Sequence, residues 1–180
     1  LLVKAITKYK KNHFRYDTLN YHHTDPALGA ALNDRQFDIG FHKLNFIIRE
    51  NIFGNFKSGL INDHWGVLPF LRGKSTIAYT LLFGFPMIAT LHLIEKGIDT
   101  GRIIGYYEYE TSDLKTINAV RDRLRAGLSE RVVDGIKRLS APDFRFLDNE
   151  ISKGHTFYEI HPWLYNFIES GMAGDPGISA

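Results

Sequence analysis

The chain reads as apolar runs separated by short polar punctuation, and the period of each run predicts an element. In LLVKAITKYKKNH, Leu2, Ala5, Ile6 and Tyr9 share one helical face and the lysines the other, which predicts a short amphipathic helix with a solvated basic stripe. RYDTLNYHHTDP is polar and turn-rich, and Pro26 is placed to start a helix, PALGAALN. QFDIGFH predicts a short strand, LNFIIRENIFGNFK a helix or loop, and SGLIN a second strand. KSTIAYTLLFGFP predicts a helix opened near Lys74 or Ser75, with Gly84 where a C-terminal glycine belongs and Pro86 as a stop. MIATLHLI and RIIGYYEYE predict strands joined by EKGIDTG. TSDLKTINAVRDRLRAGLSERVVDGIKRL predicts one long helix, since Leu114, Ile117, Val120, Leu124, Leu128, Val132 and Leu139 hold helical spacing. Strands alternating with helices argue for an α/β fold.

Composition narrows the classes. At 180 residues, 44% hydrophobic and 23% charged, the chain is long enough for one domain with a proper core. A net charge of +2 from 22 basic and 20 acidic residues argues against a nucleic-acid surface as its organising feature. There is no cysteine, which excludes disulfides and thiolate metal sites and fits a cytoplasmic protein. No run of 18 apolar residues argues for a membrane span. His22, His23 and Asp25 do not make a metal site, because adjacent extended residues point opposite ways.

The candidate chemistry lies in INDHWGVLPFLRG. Asn62 ends the SGLIN strand, and ligands bind outside the carboxyl ends of strands in open α/β sheets. If the chain stays extended for two more residues, Asn62 and His64 face the same side. EKGIDTG leaves another strand and carries Asp99 between Gly97 and Gly101. An amide that donates to an oxyanion, an imidazole that shuttles a proton and a carboxylate that orients it make a catalytic set. On those residues alone, a polar triplet forming an Asx turn explains as much. His92 lies with Thr90 on one face of its strand, either as a satisfied core histidine or as a group supporting Asp99.

Three longer stretches carry a resemblance. INDHWGVLPFLRG resembles the Asn-x-His-Pro-Ser-Leu-Leu-Pro-x-x-(Arg/Lys)-Gly signature of the folate-dependent formyltransferases, TLHLIEKGIDTGRII resembles the family's Thr-x-His and Asp-x-Gly-x-Ile-Ile pattern, and FDIGFHKL resembles its earlier strand and folate loop. The resemblance covers roughly Phe37 to Ile104 in family order. Trp65-Gly66 replaces the usual Pro-Ser, and Ile88-Ala89 the usual Gly-Val. Trp65 is expected to reshape the pocket wall beside His64.

The resemblance implies an open, mostly parallel, Rossmann-like α/β sheet lacking the family's first strand, followed by a C-terminal helix and an aromatic-rich tail. The expected organisation is a catalytic core over residues 1–110 whose N-terminal βα unit is missing, a closing helix over 111–140 and an aromatic extension over 141–180, and the chain is expected to be a fragment of a longer protein. The implied activity is transfer of a formyl group from 10-formyltetrahydrofolate to a primary amine. Asn62 and protonated His64 are expected to hold the oxyanion while Asp99 sets the charge of His64. The folate is expected near His42, Lys43 and Leu44 and along Glu95, Lys96 and Ile98, with Thr90 and His92 in support and no metal. The acceptors open are methionyl-tRNA, glycinamide ribonucleotide, a nucleotide-linked amino sugar, or water as in the hydrolases, and a non-catalytic module is a further reading. Near-neutral charge, and aromatics such as Phe157, Tyr158 and Trp163 that could stack on a base, favour the sugar nucleotide, its diphosphate near Arg72 and Gly73. The same aromatics could instead form a homodimer patch, or simply cover the sheet.

Overall fold

The computed structural model describes residues 2–10, 13–22, 24–43 and 46–174. In chain order the elements are β1 (Leu2–Lys10), β2 (His13–Asn20), α1 (Pro26–Asn33), β3 (Phe37–His42), α2 (Glu50–Phe53), β4 (Phe56–His64), β5 (Leu71–Gly73), α3 (Thr76–Phe83), β6 (Ile88–Leu93), β7 (Ile103–Glu108), α4 (Ile117–Ala126), α5 (Leu128–Leu139), a 3-10 turn over Ile151–Lys153, β8 (His155–Phe157) and α6 (Pro162–Ala173). The main sheet has the order β3-β4-β6-β7.

The α/β class is as expected, and the strand directions are mixed. β3 and β4 run parallel, with α2 in the connection, whereas β6 is antiparallel to both β4 and β7. The reason for the second antiparallel pair is length: the loop from Ile94 to Arg102 is too short for the crossover that parallel strands need.

Two other expectations are corrected. The N-terminal segment is not a helix: β1 and β2 form an antiparallel hairpin that pairs Leu2 with Asn20 and Lys10 with His13. Lys4, Lys8 and Lys10 fall at even positions and Val3, Ala5 and Tyr9 at odd ones, a period of two that suits a strand. The long closing helix is two helices, broken at Gly127. A Cβ there would lie 2.2 Å from the Tyr109 hydroxyl, so the chain passes close to that side chain at the break.

One face of the main sheet carries an apolar cluster. Ile61, Leu91, Leu93 and Ile104 form a buried cluster against Leu139, Phe144 and Phe146. α5 lies close at Gly135, where a Cβ would meet Leu91 at 3.0 Å. A second cluster joins Ile77 and Ala78 of α3 to Ile117, Val120 and Leu124 of α4 and Ile168 of α6. Among the described residues no helix is long and apolar enough to cross a membrane.

The aromatic tail divides between core and surface. Phe157 of β8 packs on Tyr79 at 4.4 Å between ring centroids, and Ile160 and Ile168 are buried. Tyr158 and Trp163 are exposed, with Trp163 stacked on Phe167 at 5.7 Å. β8 pairs in parallel with β5, a two-stranded sheet that closes the tail over the loop following β4.

Candidate active site

β4 stays extended through His64, so Asn62 and His64 share one face and Asp63 takes the other. The register places His42 of β3, Asn62 of β4 and His92 of β6 abreast across the sheet, and His64 opposite Thr90. Paired residues on adjacent strands share a face, so three imidazoles and an amide line one surface.

Asp99 closes over that surface from the β6–β7 loop. Its Oδ2 lies 3.3 Å from His64 Nδ1 and its Oδ1 3.5 Å from His92 Nε2. Asn62 Nδ2 donates to His92 Nε2 at 3.1 Å, and the other His92 nitrogen donates to the Leu93 carbonyl at 2.7 Å. The His64 and His92 rings meet edge to face at 6.1 Å. The structure therefore brings Asn62, His64 and Asp99 together on one face, with His92, expected as a support or a core histidine, beside them.

The loop is shaped to hold the carboxylate there. Asp99 adopts φ 52°, a left-handed conformation that glycine, asparagine and aspartate enter more readily than other residues. The amide N–H of Gly73 donates to Asp99 Oδ2 at 2.8 Å, and Asn149 donates to the Asp99 and Gly101 carbonyls at 3.0 and 2.8 Å. Gly101 could carry no side chain, since a Cβ would lie 1.9 Å from the Leu93 carbonyl oxygen.

Electrostatics follow from the partners. Burial alone would raise the Asp99 carboxyl, but His64, His92 and the Gly73 N–H together hold it well below the usual carboxylate range. Burial pulls the His64 imidazole below its ordinary value, outweighing Asp99 and the Leu71 carbonyl, which favour the charged form. A proton arriving at His64 Nδ1 completes a charge-assisted contact with Asp99.

Several expected roles change. His64 Nε2 donates to the Leu71 carbonyl at 2.7 Å, so that N–H is not free for an oxyanion. Among the described residues, the second N–H of Asn62 is a donor left for it on this face. Arg72 is only 6% exposed, and its guanidinium donates to the carbonyls of Pro69, Ile151 and Gly154 at 3.0, 3.0 and 3.1 Å and to the Thr156 hydroxyl at 3.3 Å. It clamps the tail rather than reaching for a diphosphate. Gly73 serves Asp99. Trp65 turns away from His64, and its indole N–H donates to Asp63 Oδ2 at 2.6 Å; the residue pressed against His64 is Gly66, where a Cβ would lie 3.0 Å from Nε2.

The expected folate-side residues are placed as follows. His42 is buried, neither ring nitrogen has a hydrogen-bond partner among the described residues, and burial lowers its pKa. The Asn62 amide approaches that ring without reaching hydrogen-bond geometry. The Lys43 ammonium sits 3.1 Å from Asp63 Oδ2 and over the Trp65 ring at 3.8 Å. Leu44 lies outside the described residues. Glu95 accepts from Arg102 at 2.7 Å, the Lys96 carbonyl accepts from Thr100 at 2.8 Å, and Ile98 is exposed. Thr90 is buried and donates to the Gly66 carbonyl at 2.6 Å, fixing the turn after His64. Among the described residues no cluster of three or more His, Cys, Asp or Glu side chains could hold a metal.

Sequence reasoning missed Asp63, Arg131 and Asn149. Asp63 stood in the quoted triplet, and its burial follows from strand alternation. Arg131 and Asn149 carry no local signal.

Comparison with known proteins adds the following. No family model matches the chain. It is 29% identical over 96 residues to the methionyl-tRNA formyltransferase of Finegoldia magna, a match covering 51% of this chain and 31% of that protein. The chain thus matches less than a third of that relative's length. Among solved structures it is similar to the formyltransferase PseJ from Anoxybacillus kamchatkensis in complex with UDP-4,6-dideoxy-4-formamido-L-AltNAc and tetrahydrofolate, at 27% identity and a TM-score of 0.58, covering 72% of this chain and 67% of that one. A 4-N formyltransferase from Francisella tularensis shares the fold at a TM-score of 0.62 and 21% identity, covering 81% of this chain and 64% of that one. In sequence and in fold the chain resembles the folate-dependent formyltransferases, as its motifs imply.

Proposed function

We propose that this chain forms the catalytic core of an N-formyltransferase that moves a formyl group from 10-formyltetrahydrofolate to the amine of a nucleotide-linked amino sugar. The observation that carries the reading is the Asp99 carboxylate shared between His64 Nδ1 and His92 Nε2, with Asn62 bonded to His92 on the same face. Packing does not require a half-buried carboxylate, two buried imidazoles and an amide on one patch. Proton transfer beside an oxyanion does.

The amine lone pair attacks the formyl carbon, and the carbonyl electron pair moves to oxygen. Asn62 offers its second N–H to that oxyanion, an interaction of about 3 kcal/mol for a well-placed donor. The amine then loses a proton to the His64–Asp99 pair. The bond from carbon to the folate nitrogen breaks, and that nitrogen takes the proton back. A formamide and tetrahydrofolate result, with the pair in its starting state.

His42 supports a heterocyclic co-substrate. A buried imidazole with neither nitrogen bonded costs about 1–3 kcal/mol until a ligand supplies a partner. The sugar-nucleotide acceptor is supported by the UDP-linked sugar held by PseJ and by the near-neutral charge. The methionyl-tRNA formyltransferase match supports a second reading, in which the acceptor is methionyl-tRNA.

The test is a panel of acceptors with 10-formyltetrahydrofolate: UDP- and dTDP-linked amino sugars, glycinamide ribonucleotide, methionyl-tRNA, and buffer alone. Preferential formylation of an amino sugar is expected. Preference for tRNA or the ribonucleotide overturns the acceptor, formate release in buffer alone points to a hydrolase, and no turnover with any of them overturns the activity.

A further inference from the structure

On the face of β4 opposite the imidazoles lies a second polar cluster, centred on Asp63. The Asp63 side chain is 0% exposed and that of Arg131 2%. Arg131 grips it with two parallel bonds, Nε to Oδ1 at 2.7 Å and Nη2 to Oδ2 at 2.9 Å. Nη2 also donates to the Leu124 carbonyl at 2.8 Å and Nη1 to the Tyr109 hydroxyl. The Trp65 N–H and the Lys43 ammonium complete the shell of Asp63, and Lys43 also donates to the Asp63 carbonyl oxygen. The tethers on this one residue come from the end of β3, the turn after β4, and α5.

We infer that Asp63 is a positioning residue for the formyl-transfer site, holding the Asn62–His64 edge of β4 at a fixed height and rotation and tying the folate-side segment at Lys43 to it. The inference rests on the function proposed above. Its physical basis is the strand itself. Asn62 and His64 flank Asp63 on the other face, so a rotation or shift at Asp63 re-aims both. Hydrophobic contacts resist separation but not sliding, whereas a bidentate guanidinium pair fixes angle as well as distance. The amide and the imidazole need that constraint, because a misplacement of about 1 Å at a reacting centre costs on the order of 100-fold in rate. Stability alone gives no reason for the pair, since well-packed apolar residues of similar volume commonly serve as well or better.

The experiment uses that last point. Asp63→Asn keeps the shape and removes the charge, and Asp63→Leu/Arg131→Met removes both charges while leaving the volume filled. Lys43 retains solvent contact, its side chain being 28% exposed, so it tolerates the loss. Each variant and the wild type are measured for melting temperature, for kcat and KM with the accepted amine, and for the His64 ring resonances without substrate. The expected result is a native circular dichroism spectrum and cooperative melting in the double variant, at a midpoint lowered by the Trp65 N–H, Tyr109 hydroxyl and Leu124 carbonyl that lose a partner, with kcat lower by about 10- to 100-fold, the amine KM nearly unchanged and displaced His64 resonances. Wild-type kcat in the double variant would overturn the inference, leaving Asp63 a structural ion pair. So would unmoved His64 resonances, a readout that holds even if the wild-type chain formylates no amine, an outcome that would itself overturn the proposed activity.

Discussion

Replacing Arg72 with methionine separates a structural clamp from a substrate contact. The guanidinium donates to three carbonyls, those of Pro69, Ile151 and Gly154, and to one hydroxyl at Thr156. Methionine fills much of the volume and satisfies none of these acceptors. A buried acceptor left without its donor costs about 1–3 kcal/mol. Three such carbonyls set an upper range that relaxation and water entry reduce, so we expect a loss of about 3–5 kcal/mol, as for removal of one partner from a buried charged network. For a chain of this size each kcal/mol moves the melting temperature by about 2–4 °C, so the midpoint should fall on the order of 10 °C. The acceptors lie around β8, so the damage should be local first: limited proteolysis should cut between Leu147 and Phe157 before the core unfolds. Arg72→Lys should recover only part of the loss, because an ammonium cannot reproduce the planar fork. A variant with wild-type melting temperature and protease resistance but a raised KM for the sugar nucleotide would refute this reasoning and restore Arg72 as a phosphate contact.

His64→Ala should lower kcat by about two orders of magnitude or more, with circular dichroism unchanged; a wild-type rate would remove His64 from the chemistry. Gly73→Ala should lower stability sharply and release Asp99, because φ is 93° and a Cβ would lie 2.1 Å from the Phe157 carbonyl oxygen; a well-folded variant with full activity would contradict the placement of that turn. Acid should destabilise the chain in two stages. His64 and His42 are lowered in the folded state, so their contribution is full above pH of about 6.5 and is lost as pH falls below it, when the unfolded chain takes up protons first. Asp99 and Asp63 are lowered likewise, and their contribution is lost below pH of about 4. A urea midpoint as high at pH 5 as at pH 7.5 would refute the histidine stage.

What the sequence revealed and what it hid divide along one line, the distance over which the deciding interaction acts. Strands β3, β4, β6 and β7 were legible because each is an apolar or aromatic run bounded by polar residues. Asn62 and His64 were legible as a pair because alternation along an extended strand is a rule of neighbours. The N-terminal hairpin was misread for the same reason: Leu2, Ala5, Ile6 and Tyr9 satisfy a helical period while the lysines satisfy a period of two, and pairing with β2 decides between them. The break at Gly127 falls on a helix-weakening residue that the apolar spacing overrode, whereas the role of Arg72 depends on carbonyls contributed by Ile151 and Gly154 and has no local signature. Asp63 lies between these cases. An aspartate at a strand position whose alternate neighbours face a site must itself face the other way, into the layer that α5 covers, and a buried carboxylate needs a cation. That much follows from the triplet alone. Which cation answers does not, because Arg131 arrives from a helix that follows all four strands of the main sheet. Residues proposed to do the chemistry were therefore readable from contiguous motifs, while those that hold them were not, and the substitutions at Arg72 and Asp63 test the second group directly.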